Sequence, residues 1–194
     1  MMHTSIRRSV TLLGLFLLSL LPAACKEGNP LTGGISPADA AFTPQTRPAG
    51  VTSNYVSLRE SSVDGGRIVF DIVVSDVDTL VTGIALKLTY PDTFSRFVKC
   101  TDGSLFSSGT CYFAEPSVGS GEVFIGRSIT DPAQATLVSG DQVVVRLEFL
   151  VFGEGSGPIV IEGQNLGGGD ASALLGAGGA TIFVNWYSGT MQGE

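Results

Sequence analysis

The feature that most constrains this chain is a strict alternation of apolar and polar residues, repeated in one segment after another. Val143, Val145, Leu147, Phe149 and Val151 form the longest stripe, with Arg146 and Glu148 on the opposite side. Ile68, Phe70, Ile72 and Val74 form a second, and Ile84, Leu86, Leu88 and Tyr90 a third. Val123, Ile125 and Ile129 share a face that Arg127 interrupts, and shorter runs follow at 159–161 and 181–187. A period of two puts successive side chains on opposite faces of an extended chain, so each run predicts a strand with one buried side. Turn residues separate the runs: Asp64-Gly65-Gly66, Pro91-Asp92, Ser139-Gly140-Asp141 and the series Gly153, Gly155, Gly157. No segment sustains a helical period; the nearest is 172–175, flanked by glycines. Many short half-buried strands joined by glycine-rich turns predict an all-β protein of two packed layers, a sandwich or a barrel.

The N-terminus is different in kind. Arg7 and Arg8 precede the apolar run 10–21, and Pro22, Ala23, Ala24 and Cys25 follow. A basic start, a short greasy core and small residues before a cut describe a secretory signal peptide. The core is shorter than the ~20 apolar residues a membrane span needs. The small residues before Cys25 resemble the lipobox of bacterial lipoproteins, although Pro22 stands where that motif usually has leucine. The resemblance implies cleavage after Ala24 and a lipid on Cys25. Lys26, in place of aspartate, points by the same family's sorting rule to the outer membrane of a double-membraned host. Residues 26–50 are rich in proline and glycine and carry no apolar period, which predicts a tether. The expected organisation is a signal peptide over 1–24, a lipidated N-terminus and tether over 25–50, and one domain over 51–194.

Export also removes chemistry. The chain's one histidine, His3, leaves with the signal, and with it the His-based zinc sites and catalytic triads. Losing Arg7 and Arg8 takes Lys+Arg from 11 to 9 against 18 Asp+Glu, so the net charge goes from −7 to −9. So acidic a chain is not expected to bind nucleic acid or an anionic membrane surface through bulk charge. Of the three cysteines, Cys100 and Cys111 remain after Cys25 is assigned, and in an oxidising compartment a disulfide is their simplest fate. A metal or redox pair would lack histidine partners and CxxC spacing. Asp76-Val77-Asp78 lacks the glycine and distal glutamate of a calcium loop. The 153–157 glycines lack the Lys-Ser/Thr of a phosphate loop. Acids sit mostly at turns, where solvated turn roles outnumber paired-carboxylate catalysis. No catalytic residue, metal or cofactor is therefore expected. Trp186 and Tyr187 stay open between two roles, stacking on a sugar ring or an edge-of-core contact.

The ordered segments 71–74, 81–90, 103–106, 121–128, 143–157 and 188–190 together are similar to a cohesin domain across about residues 52–192. The resemblance implies a nine-stranded jelly-roll β-sandwich, akin to carbohydrate-binding modules. It also implies a non-catalytic role, holding a dockerin-bearing partner in connection with polysaccharide breakdown. The sequence departs from the family where Tyr90-Pro91-Asp92 replaces Tyr-Asp-Pro. It departs again where Gly83, Ala85 and Arg127 occupy positions that are often polar or acidic contacts. The surface the resemblance assigns to a partner carries Ala85, Lys87, Thr89 and Arg127. Two alternatives remain beside it, a carbohydrate-binding module using Trp186 and Tyr187 with Tyr112 and Tyr90, and an envelope lipoprotein with a structural or assembly role.

Overall fold

The computed structural model describes residues 38–106, 108–117, 119–163 and 172–194. The signal segment, Cys25, residues 26–37 of the expected tether and the glycines at 167–169 lie outside the described residues. Twelve strands are present among them, in place of the nine expected, together with two single-turn 3-10 helices. They run β1 (Ala40–Pro44), β2 (Tyr55–Asp64), β3 (Arg67–Thr89), β4 (Ser95–Asp102), β5 (Tyr112–Ala114) and β6 (Glu122–Ser128), followed by β7 (Thr136–Val151), β8 (Gly155–Ile161), β9 (Ala173–Gly176), β10 (Thr181–Ile182), β11 (Asn185–Tyr187) and β12 (Gly189–Gly193).

The sandwich is organised by β3, a single strand of 23 residues where the sequence shows two separate stripes. Its first half pairs with β2 and β7, and its second half pairs with β6 on one side and with β9 and β8 on the other. The change of layer occurs at Asp76, whose φ of 45° is left-handed, with register shifts on both sides. Aspartate tolerates that conformation better than most residues, and Asp76 Oδ1 accepts the Gly140 N–H at 2.6 Å. Asp76 is thus a corner residue. One layer holds β11, β2, the first half of β3, β7 and β4; the other holds β5, β6, the second half of β3, β9 with β10, and β8 followed by β12 and β1.

Between the layers lie the alternating apolar residues. Ile68, Phe70, Ile72, Val74, Ile84, Leu88, Val123, Leu147, Phe149 and Val151 are all essentially inaccessible. Phe149 sits at the centre of a ring cluster, edge-on to Phe70 (5.7 Å), Tyr90 (5.2 Å) and Phe97 (5.4 Å). The stripe in β7 breaks near its start. Val73 pairs with Val143 and Ile72 with Val145, so Val144 is an extra residue, a bulge, and it is buried where Val143 is only half-buried.

One expectation is corrected here. The segment 25–50 is not tether throughout: Ala40–Pro44 forms β1, antiparallel to β12, and Phe42 packs edge-on against Phe70 at 4.8 Å. The nearest approach to a helical period, at 172–175, falls in a strand: Ala173–Gly176 is β9, paired with β3 and with β10. Cys100 and Cys111 form the expected disulfide, closing a loop of separation 11 between the β4 edge of one layer and the start of β5 in the other. Closing so short a loop stabilises by roughly 3 kcal/mol on chain-entropy grounds.

A polar knot ties β2, β3 and β7 on the outside. Asp141 accepts from Arg59 and Ser75, with Tyr55 hydroxyl at 3.4 Å. The Arg59 guanidinium, helped by the Ser75 hydroxyl against partial burial, pulls the Asp141 carboxyl down to about 2. A depressed carboxyl stabilises the fold fully above its unfolded value of 3.8 and loses that contribution as pH falls toward 2. Urea midpoints of wild type and Asp141→Asn should therefore differ at pH 6 and converge by pH 2. A gap that persists unchanged at pH 2 would assign the effect to packing.

Candidate functional site

The layer containing β5, β6 and the second half of β3 has an outward face, and its register decides what that face presents. Ala85 stands opposite Gly126 on β6 and Ala173 on β9, and Gly126 stands opposite Tyr112 on β5. Cross-strand partners point the same way, so Ala173, Ala85, Gly126 and Tyr112 form one row. The next row is Lys87, Phe124 and Ala114, and the third is Val160, Thr89 and Glu122. The first row is low: three positions have a methyl or no side chain, and a Cβ built on Gly126 meets nothing within 4 Å. At its end Tyr112 is 71% exposed. A shallow groove of about 430 Å³ runs between them, lined by Ala85, Lys87, Tyr112, Ala114, Phe124 and Gly126 among others.

Lys87 is not a free cation on this face. Its Nζ lies 3.6 Å from Glu122 and 3.4 Å from Glu162, and its side chain is largely covered. Its backbone is held as well, donating to Ser172 Oγ at 3.0 Å and accepting from Glu162 N–H at 2.9 Å. The three side chains together leave one net negative charge beside the apolar row. Tyr90, at the end of β3, is buried and donates its hydroxyl to Glu115 at 2.8 Å; burial first and the carboxylate second push its phenol well above the ordinary tyrosine range.

Arg127 does not belong to this face. It stands opposite Ile84 in the row that points into the sandwich and is 3% exposed. What makes its burial tolerable is a set of carbonyls: it donates to those of Gly103 (3.0 Å), Phe106 (3.0 Å) and Val144. Its Nε lies 3.4 Å from Asp102, an ion pair without hydrogen-bond alignment. The guanidinium thus stitches the loop after β4 to the bulge in β7. The period of two already places Arg127 inward with Val123 and Ile125; the surface role came from the family resemblance alone.

Of the two roles open to the aromatic pair near the C-terminus, the geometry favours the edge-of-core contact. Trp186 and Tyr187 are successive residues of β11 and so point to opposite faces. Tyr187 is buried with its ring 6.0 Å from that of Tyr55, and Trp186 is half-buried against the core. They offer no common platform for a sugar. Of the residues assigned to a partner, Ala85, Lys87 and Thr89 share the outward face, while Arg127 does not. The residues that complete it, Gly126, Phe124, Tyr112 and Ala114, were not assigned to it from sequence. The signal for the first two is their alternation with Val123, Ile125 and Arg127.

No family model and no curated protein sequence matches this chain. Solved structures do. The second type II cohesin module from the adaptor ScaA scaffoldin of Acetivibrio cellulolyticus matches with a TM-score of 0.56 at 15% identity, covering 70% of this chain and 86% of that one. The fold is that of a cohesin module. A second type II cohesin domain, from the cellulosome of the same organism, matches at 0.55 and 13% identity, over 71% of this chain and 94% of that one. The sixth cohesin of that organism's scaffoldin B, solved in complex with a mutant dockerin, matches at 0.56 and 13% identity, over 72% of this chain and 97% of that one. At these identities the likeness is one of fold.

Proposed function

We propose that the exported chain is a non-catalytic binding module, anchored through lipid on Cys25, that holds a protein partner against the outward face of β3, β6 and β5. The partner we propose is a dockerin-like module, which would connect the protein to polysaccharide breakdown at the cell envelope, with the outer membrane as its site in a double-membraned host. The observation that carries this reading is the low row Ala173, Ala85, Gly126 ending on exposed Tyr112, on a fold shared with cohesins solved with dockerins. A flat apolar row lets a partner's backbone approach closely, and an exposed tyrosine beside it is a typical interface anchor. With Gly83 and Ala85 lacking polar side chains, recognition rests on shape and apolar contact, with the Glu122 and Glu162 carboxylates favouring a basic residue at the rim.

The test is calorimetry of the oxidised chain against calcium-loaded dockerin modules, beside retention on insoluble polysaccharides. Saturable dockerin binding without glycan retention is expected. Glycan retention without any dockerin binding would replace this reading with the carbohydrate-binding one.

A further inference from the structure

One edge of the proposed partner face is held by a covalent bond. The bridge joins Cys100, opposite Leu147 at the edge of the β4–β7 layer, to Cys111, the residue that leads into β5. β5 has three residues and a single paired neighbour, β6. A strand of that length and pairing belongs to the least stable part of a fold. Its other supports are few: one lies just past its end, where Glu115 accepts from the Tyr90 hydroxyl at 2.8 Å, and the rest lie at the bridge and on Phe113. Cys111 N–H donates to Asp102 Oδ1 at 2.8 Å, and the half-exposed Phe113 ring sits edge-on to Phe97 at 5.1 Å. Just before it, Gly109 at φ 98° presses so close to β6 that a Cβ would lie 2.6 Å from the Ser128 carbonyl oxygen.

The beginning of the bridged loop is fixed independently. Gly103 and Leu105 N–H groups donate to Val144 and Val143, Arg127 donates to Gly103 and Phe106, and Leu105 and Phe106 are buried. Opening the bridge therefore leaves 102–106 in place and releases the run into β5, which carries Tyr112 and Ala114. Both cysteines are half-buried at an edge and not sealed in the core.

We propose that the Cys100–Cys111 disulfide is a redox latch on the partner face: the oxidised chain presents β5 and Tyr112, and the reduced chain keeps its sandwich but withdraws them. The consequence for binding rests on the reading of this face given above, whereas the latch is a property of the chain alone. In the opening step a thiolate of a dithiol reductant attacks one sulfur and breaks the S–S bond. Its second thiol then resolves the mixed disulfide. Two electrons and two protons pass to Cys100 and Cys111, which become thiols, and the reductant leaves as its own disulfide.

Hydrogen exchange read by mass spectrometry on the full exported protein tests this, comparing the oxidised chain, the chain with dithiothreitol, and the Cys100→Ser/Cys111→Ser variant. Amides at 111–115 should exchange at least about tenfold faster on reduction, while those at 83–89 and 143–150 stay within about twofold. The double variant should match the reduced chain without reductant; if it does not fold, the reduced wild type decides. Unchanged exchange at 111–115, or loss of protection throughout β3 and β7, overturns the latch. Capture on an immobilised dockerin module is the second readout, with at least a tenfold loss expected on reduction. Equal capture in both states with β5 released overturns the link to binding, and no capture in either state counts against the partner reading alone.

Discussion

Replacing Arg127 by methionine is expected to lower stability by about 2–4 kcal/mol, a large effect for a residue that lies in no active site. The carbonyls of Gly103 and Phe106 lose the donors that Arg127 supplies, whereas Val144 keeps the Gly103 N–H at 2.9 Å. Each buried acceptor left unsatisfied costs about 1–3 kcal/mol. For a domain of this size a loss of that order lowers the melting temperature by about 5–15 °C. Arg127→Lys should recover less than half of it, because an ammonium cannot reach carbonyls on both sides as the planar fork does. Urea unfolding of the three proteins checks both statements. A loss under about 1 kcal/mol for methionine would mean that the loop after β4 is held mainly by its own backbone bonds and the buried Leu105 and Phe106.

Phe149→Ala should cost about 3–5 kcal/mol, because Phe149 touches three other rings and has no exposed surface through which the cavity could fill. Phe149→Leu should cost less than half as much. The urea dependence of unfolding should keep its slope if only stability changes. Equal losses for alanine and leucine would indicate that the ring contacts, and not the cavity, carry the energy.

These two side chains also show what was readable in the sequence. Phe149 lies in an uninterrupted stripe, and burial follows from the stripe. Arg127 lies in a stripe too, with Val123 and Ile125, but burying a guanidinium requires acceptors that only folding assembles, from Gly103, Phe106 and the bulge at Val144. Charge alone therefore argues for the surface and position for the core; here position decides. The all-β sandwich and the disulfide were legible because both depend on local pattern and on simple counting. β1 was not, since its five residues sit in a proline-rich stretch and pair with β12 at the far end of the chain. The continuity of β3 was hidden because the alternation stops after Val74 and resumes at Ile84, with the corner residue Asp76 in between. On the face itself, Ala85, Lys87 and Thr89 were legible from the third stripe. Tyr112 was not, because three residues of β5 are too few to show a period and depend on β6 and the bridge for their place.

If a dockerin-like partner sits on the outward face of β3, β6 and β5, Gly126→Arg should expel it. A side chain at Gly126 meets open space, so the substitution should leave the free energy of unfolding in urea within about 0.5 kcal/mol of wild type. Ala85→Arg, opposite it in the same exposed row, is the companion variant. With a dockerin module as titrant, both should weaken binding at least about 100-fold, or roughly 2.7 kcal/mol. A folded Gly126→Arg chain that binds within threefold of wild type would move the partner to another surface.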